Sequence, residues 1–130
     1  MTHEDHITFE QAIKLKELGF DWECHHWYHP LEEDRTKIFY ADYYNHNKYK
    51  TAISAPTLSQ VQKWFREVKG LDITINHVYH RLTTGDKVMY GLRIGNQSTF
   101  KTEFYMNYDS YEDALSIGID KALEFLKGKK

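Results

Sequence analysis

One cysteine, Cys24, is all the chain offers in 130 residues. An intrachain disulfide is therefore excluded, and a chain of this length can bury a sizeable core without cross-links or metal. Long apolar runs are missing too, so no stretch approaches the length of a membrane-spanning helix. The opening MTHEDHITFEQ has neither the basic nor the apolar segment of a secretory signal. Strong charge is lacking: the formal net charge is −2 and the pI about 6.4. No global basic field is available to hold nucleic acid non-specifically. G-x-S-x-G, P-loop and G-x-G-x-x-G motifs are all absent. These absences lead to the expectation of a cytoplasmic, non-enzymatic protein with no cofactor and no membrane association.

What the chain does have is aromatic side chains. They make up 15% of the residues, and ten of them are tyrosines, which can cover a core edge while the hydroxyl stays in water. Charge is also uneven. The first 36 residues, with EDH and LEEDR, are acidic, whereas Lys37 to Tyr105 leans basic.

Three helices are marked by their starts. In ITFEQAIKLKELGF, Thr8 and Gln11 form a capping box, and Gly19 follows as a residue able to take positive φ. In PTLSQVQKWFREVKG, Thr57 and Gln60 repeat the box and Gly70 repeats the stop. Leu58, Val61, Trp64, Phe65 and Val68 then give an apolar stripe at helical spacing. In DSYEDALSIGIDKALEFLKGKK, Ser110 caps, Asp113 stands three residues on, and the acidic start and basic end suit the helix dipole.

Strand-like alternation fills the intervals. LDITINHVYH sets Leu71, Ile73 and Ile75 against Asp72, Thr74 and Asn76. KVMYGLRI sets Val88, Tyr90, Leu92 and Ile94 against Met89, Gly91 and Arg93, with TTGD as the turn between the two strands. TFKTEFYM sets Phe100, Phe104 and Met106 against Lys101, Glu103 and Tyr105, after the turn GNQS. KIFYADYY is a further, less regular strand. The fold class predicted is α+β in the order α-β-β-α-β-β-β-α, a largely antiparallel sheet with helices on one face. It is laid out as one domain over 1–130, with αββ units at 8–44 and 57–94, a strand at 99–106 and a final helix at 110–127.

The two units echo each other. At a constant offset of 51, Gly19, Asp21, His26, Tyr28, His29 and Leu31 match Gly70, Asp72, His77, Tyr79, His80 and Leu82. Either a helix–strand–strand unit is used twice, or the likeness is what any capped helix running into a hairpin shows. The echo assigns faces to WECHHWYHP, residues 22–30. Phe20, Trp22, Cys24, His26 and Tyr28 are expected inside. Asp21, Glu23, His25, Trp27 and His29 are expected on the other side. Histidines that alternate across a strand make a poor chelate, and no C-x-x-C completes a tetrahedral set. No metal site is expected, and His26 and His77 are assigned to the core edge. Cys24, turned inward, is expected to be inert. The carboxylates Glu32, Glu33 and Asp34 fit a solvated turn.

FYADYYNHNKYKT, residues 39–51, is the candidate binding surface. Tyr43, Tyr44, His46, Lys48, Tyr49 and Lys50 combine stacking rings with cations, as single-strand nucleic-acid binders do. Tyrosine and asparagine are equally the residues of adaptable protein-binding loops. Tyr40 is assigned to the core.

Helix–three strands–helix is also the order of a double-stranded-RNA-binding domain. That family grips phosphates with a basic cluster at the start of its last helix. Here the position carries Asp109, Glu112 and Asp113, which would repel the backbone. A wider resemblance runs through TFEQAIKLKELGFD, SAPTLSQVQKWFREVKGLDI and YDSYEDALSIGIDKALEFLK. In these segments the chain resembles a group of small uncharacterised proteins common in Bacteroidota genomes and their phages. The resemblance implies no activity and no catalytic residues. The functional expectation is a small binding protein that engages a protein partner, encoded by a phage or mobile element. The alternative is a nucleic-acid-binding accessory protein using residues 39–51.

Overall fold

The computed structural model describes residues 6–82, 85–97 and 102–127. The chain divides into two compact units, the first ending at Gln60 and the second beginning at Val61. The α+β class and the order of major elements are as the sequence predicts. The strands, however, are shared between two three-stranded antiparallel sheets. Among the described residues, no helix is long and apolar enough to cross a membrane.

The first unit opens with α1 (Phe9–Glu17). Its capping box is complete: the Gln11 amide donates to Thr8 Oγ1, and the Thr8 amide donates to Gln11 Oε1. At the other end Gly19 takes φ +92°. The Phe20 amide donates to Leu15 O and the Gly19 amide to Lys16 O, which is the Schellman arrangement. Strand β1 (Cys24–Tyr28) pairs with β2 (Phe39–Tyr44) on one side and the short β3 (Ile53–Ser54) on the other. The order is β2-β1-β3, which leaves β2 at a sheet edge. A 3-10 turn, His46–Lys48, links β2 to β3. The predicted faces of β1 hold. Phe20, Cys24 and Tyr28 are buried and Trp22 and His26 half-buried, while Asp21, Glu23 and His25 are exposed; Trp27 and His29, expected on the outer side, are half-buried as well.

Helix α2 (Leu58–Trp64) straddles the boundary and finishes in a wide π turn, Phe65–Lys69, ended by Gly70 at φ +67°. Its capping box is formed by Thr57 and Gln60. Leu58, Val61, Trp64 and Phe65 are buried, but Val68 is half exposed. The π turn adds a residue to the helical repeat, so Val68 is rotated off the stripe to which regular spacing assigns it.

The second unit is a meander of β4 (Leu71–Leu82), β5 (Gly85–Asn96) and β6 (Thr102–Tyr108), followed by α3 (Tyr111–Lys127). The Asp113 amide donates to Ser110 Oγ, which caps α3 as the sequence indicates. Leu71, Ile73, Leu92 and Ile94 are buried, as are Ala114, Leu115, Ile119, Ala122 and Leu123 of α3. Two expectations are corrected here. His77 is exposed rather than at the core edge, and Val88 is half exposed. The 12 residues of β4 span about 40 Å, and the 17 residues of α3 only about 25 Å. The far end of the hairpin therefore extends beyond the helix that could cover it. Strand β6 has the opposite parity to that expected. Phe104 pairs with Arg93 and is exposed, as is Met106, whereas Tyr105 pairs with buried Leu92. Lys121 of α3 sits 4.0 Å over the Tyr105 ring, so Tyr105 marks the helix side of the sheet. Phe100, Lys101 and the Thr83–Thr84 turn lie outside the described residues.

Candidate functional site: an aromatic sheet face

Exposed and half-buried rings of the first unit gather along β1 and β2. Pairing of Trp27 with Phe39 places those rings on one face, stacked with centroids 4.8 Å apart. His29 continues the row 6.0 Å from Trp27. Towards the other end of the pair, His25 stacks with Tyr40 at 5.6 Å and 10° and meets Tyr43 at 4.8 Å. Lys37 Nζ stands 5.2 Å over Phe39. The register explains how residues of different parity meet: Cys24 opposes Tyr44 and His26 opposes Tyr40, so one residue of β1 faces three of β2. A bulge of this kind twists the strand and re-aims its side chains. Tyr40, assigned to the core by the sequence, is instead 73% exposed at the sheet edge.

The segment predicted as a binding surface is divided by the structure. Tyr43 belongs to the aromatic face and is half exposed. The side chain of Tyr44 lies outside the described residues. Lys48, Tyr49 and Lys50 are exposed on the turn after β2. His46 is a correction: it is 1% exposed, and its Nε2 lies 2.8 Å from the Cys24 carbonyl oxygen. Its neighbour Asn47 is pinned as firmly. The Asn47 amide donates to Ser54 Oγ, Nδ2 donates to Phe20 O, and Oδ1 accepts from the Ser54 amide. Lys16 of α1 donates to the carbonyls of Tyr49 and Ala52. What reads in sequence as a free polar loop is thus a rigid turn, with His46 and Asn47 inward and Lys48, Tyr49 and Lys50 outward.

Cys24 is buried. Its thiol donates to His26 O at 3.3 Å. Burial pushes the thiol's pKa up, against smaller opposing effects from the Ser54 side chain and the His26 and Ala55 backbone. A thiol kept protonated and covered is a poor nucleophile. His26 points to the opposite side from His25, and its Nδ1 lies 3.1 Å from Nε2 of His6. Among the described residues, no three histidine, cysteine, aspartate or glutamate side chains are grouped to hold a metal ion. The second unit carries a shallow depression lined by Asp72, Arg93, Gln97 and Thr102, and a small, mainly apolar cavity of about 70 Å³ lined by Leu71, Ile94 and Phe125 with Asn96, Glu103 and Lys121. Neither is lined by histidine or cysteine.

Sequence reasoning places His25, Trp27 and His29 on the outer side of β1 but does not join them to Phe39 and Tyr40. The missing information is the long-range register of β1 on β2. No protein-family model, curated protein or solved structure matches the chain.

Proposed function

We propose that this is a small binding protein that engages a protein partner through the aromatic face of β1 and β2. The observation that carries this reading is the set of ring contacts that reaches the surface, exposed His25 stacked with Tyr40 and tilted against Tyr43, beside the half-buried stacked pair of Trp27 and Phe39. Rigid aromatics on a sheet offer large contact area at low entropic cost, and such residues dominate the energetics of protein interfaces. The rings hold one another in place, so little ordering remains to be done on binding. The edge position of β2 adds a row of backbone groups that an extended partner segment can pair with.

A nucleic-acid reading is supported by Lys37 over Phe39, a cation beside a stacking ring. Against it stands the distribution of charge. Lys37 precedes β2, whereas Lys48 and Lys50 follow it, so about 20 Å of strand separates them. The lysines flank the rings instead of forming one track for a phosphate backbone.

The test is retention of a partner by the purified full chain and by a Tyr40→Ser/Tyr43→Ser variant. A partner recovered from host extract, then prepared pure, should bind the variant at least about tenfold more weakly. Equal affinity for a folded variant would reject this face. A mobility shift with single-stranded DNA that weakens steeply with salt would favour the nucleic-acid reading instead.

A further inference from the structure

The contact between His6 and His26 is not accounted for by the aromatic face or by the core. The residues entering α1 are fastened to the rest of the first unit by backbone bonds and by side chains. His6 forms an isolated antiparallel bridge with Thr57. The Ile7 amide donates to Pro56 O at 3.2 Å, and Tyr28 Oη donates to Ile7 O at 2.7 Å. A further fastening is the imidazole pair: His6 Nε2 lies 3.1 Å from His26 Nδ1, with ring centroids 4.3 Å apart. The bridge and the two Ile7 bonds involve no group that titrates near neutral pH. The imidazole pair consists of two such groups.

A nitrogen–nitrogen contact of this length is a hydrogen bond only if one nitrogen carries a proton and the other a lone pair. Two neutral rings satisfy that condition, and so does a pair holding one extra proton. A second extra proton makes both facing nitrogens donors and places two positive rings in contact. We propose that the His6–His26 contact is a proton-operated latch, closed while the pair carries at most one extra proton and opened by the second. Opening it removes the His6 side-chain contact with β1 and leaves the Ile7 bonds, one of them from Tyr28 of β1, to hold that segment.

The surroundings act in the same direction. Burial lowers the pKa of His26, and the charges that His25 and His46 would carry lower it further. His25 neighbours it on β1, His46 approaches from the turn after β2, and the Tyr40 ring of β2 lies edge-on at 5.3 Å. Thr57 across the bridge is uncharged. Glu10 of α1 acts on Tyr28 rather than on His26. A histidine with a lowered folded-state pKa binds fewer protons folded than unfolded. Its contribution to stability is therefore full above the unfolded value of about 6.5 and is lost as pH falls from there through the folded value. Coupled groups of this kind titrate in two macroscopic steps that belong to the pair. Because Tyr40 touches His26 and stacks with His25, the latch also adjoins the aromatic face, but it does not depend on that face binding anything.

The experiment is an imidazole titration of the full chain by NMR, with the thermal midpoint followed over the same pH range. His26 should titrate below the ordinary imidazole value, in two coupled steps with His6. In a His6→Gln variant, whose amide can still bridge to His26, the His26 titration should move upward, and less of the thermal midpoint should be lost on acidification. An unchanged His26 titration in that variant overturns the latch. If the variant does not fold, the parent protein decides alone: two independent titrations at the ordinary value overturn the proposal, and coupled, depressed titration supports it.

Discussion

His46 Nε2 lies 2.8 Å from the carbonyl oxygen of Cys24, and both residues are about 99% buried. The donor comes from the turn after β2 and the acceptor from the first residue of β1. The bond falls where the β1–β2 register is disrupted and regular ladder bonds are interrupted. A buried carbonyl is costly to leave short of donors, and His46 supplies one beside the bulge.

His46→Ala should therefore destabilise the first unit. The buried carbonyl loses the bond from His46, at about 1–3 kcal/mol, and the vacated space adds to that cost. Chemical denaturation of parent and variant measures the effect. An unchanged midpoint would mean that His46 only fills space that water fills equally well.

Trp64→Ala should cost about 3–5 kcal/mol, the usual loss for truncating a buried aromatic. Trp64 is 1% exposed and packs edge-on against Phe65 at 5.3 Å. A thermal midpoint equal to that of the parent would show that the second unit's core does not depend on it.

Gly118→Ala should destabilise even though alanine favours helix by about 1 kcal/mol. An added Cβ would lie 2.7 Å from Leu92 Cδ1 and 2.8 Å from Ile73 Cγ2. Overpacking of this sort costs about 1–3 kcal/mol. A variant more stable than the parent would show that β4 and β5 can yield to α3 at no cost.

Cys24 should react slowly with a thiol reagent in the native protein and rapidly once unfolded. Burial both covers the sulfur and raises its pKa, so little thiolate is present to attack. Native labelling as fast as that of denatured protein would place Cys24 on an exposed face.

Lys48→Ala/Tyr49→Ala/Lys50→Ala should change stability by no more than about 0.5 kcal/mol, since all three side chains are exposed. The bonds that fix this turn come from Asn47 and from backbone carbonyls, which the substitutions leave in place. Circular dichroism and a melting curve check this. A large loss would show that the outward side chains also hold the turn.

The local part of the structure is legible in the chain's short-range patterns. Thr8 with Gln11, Thr57 with Gln60 and Ser110 before α3 mark helix starts, because a cap is a bond between residues three apart. Gly19 and Gly70 mark two stops through a backbone conformation other residues avoid. The alternation of Phe20, Cys24 and Tyr28 likewise disclosed which side of β1 faces the core. The rest depends on long-range pairing and packing. The parity of Phe104 and Tyr105 follows from pairing with β5, and the exposure of His77 from the limited length of α3. The burial of His46 goes with its contact to the Cys24 carbonyl, 22 residues away. The aromatic face exists because a bulge brings His25 to Tyr40 and Tyr43. Cross-strand register joins residues far apart in the chain, and the energy that selects it is spread over the whole sheet, so no short stretch of sequence records it.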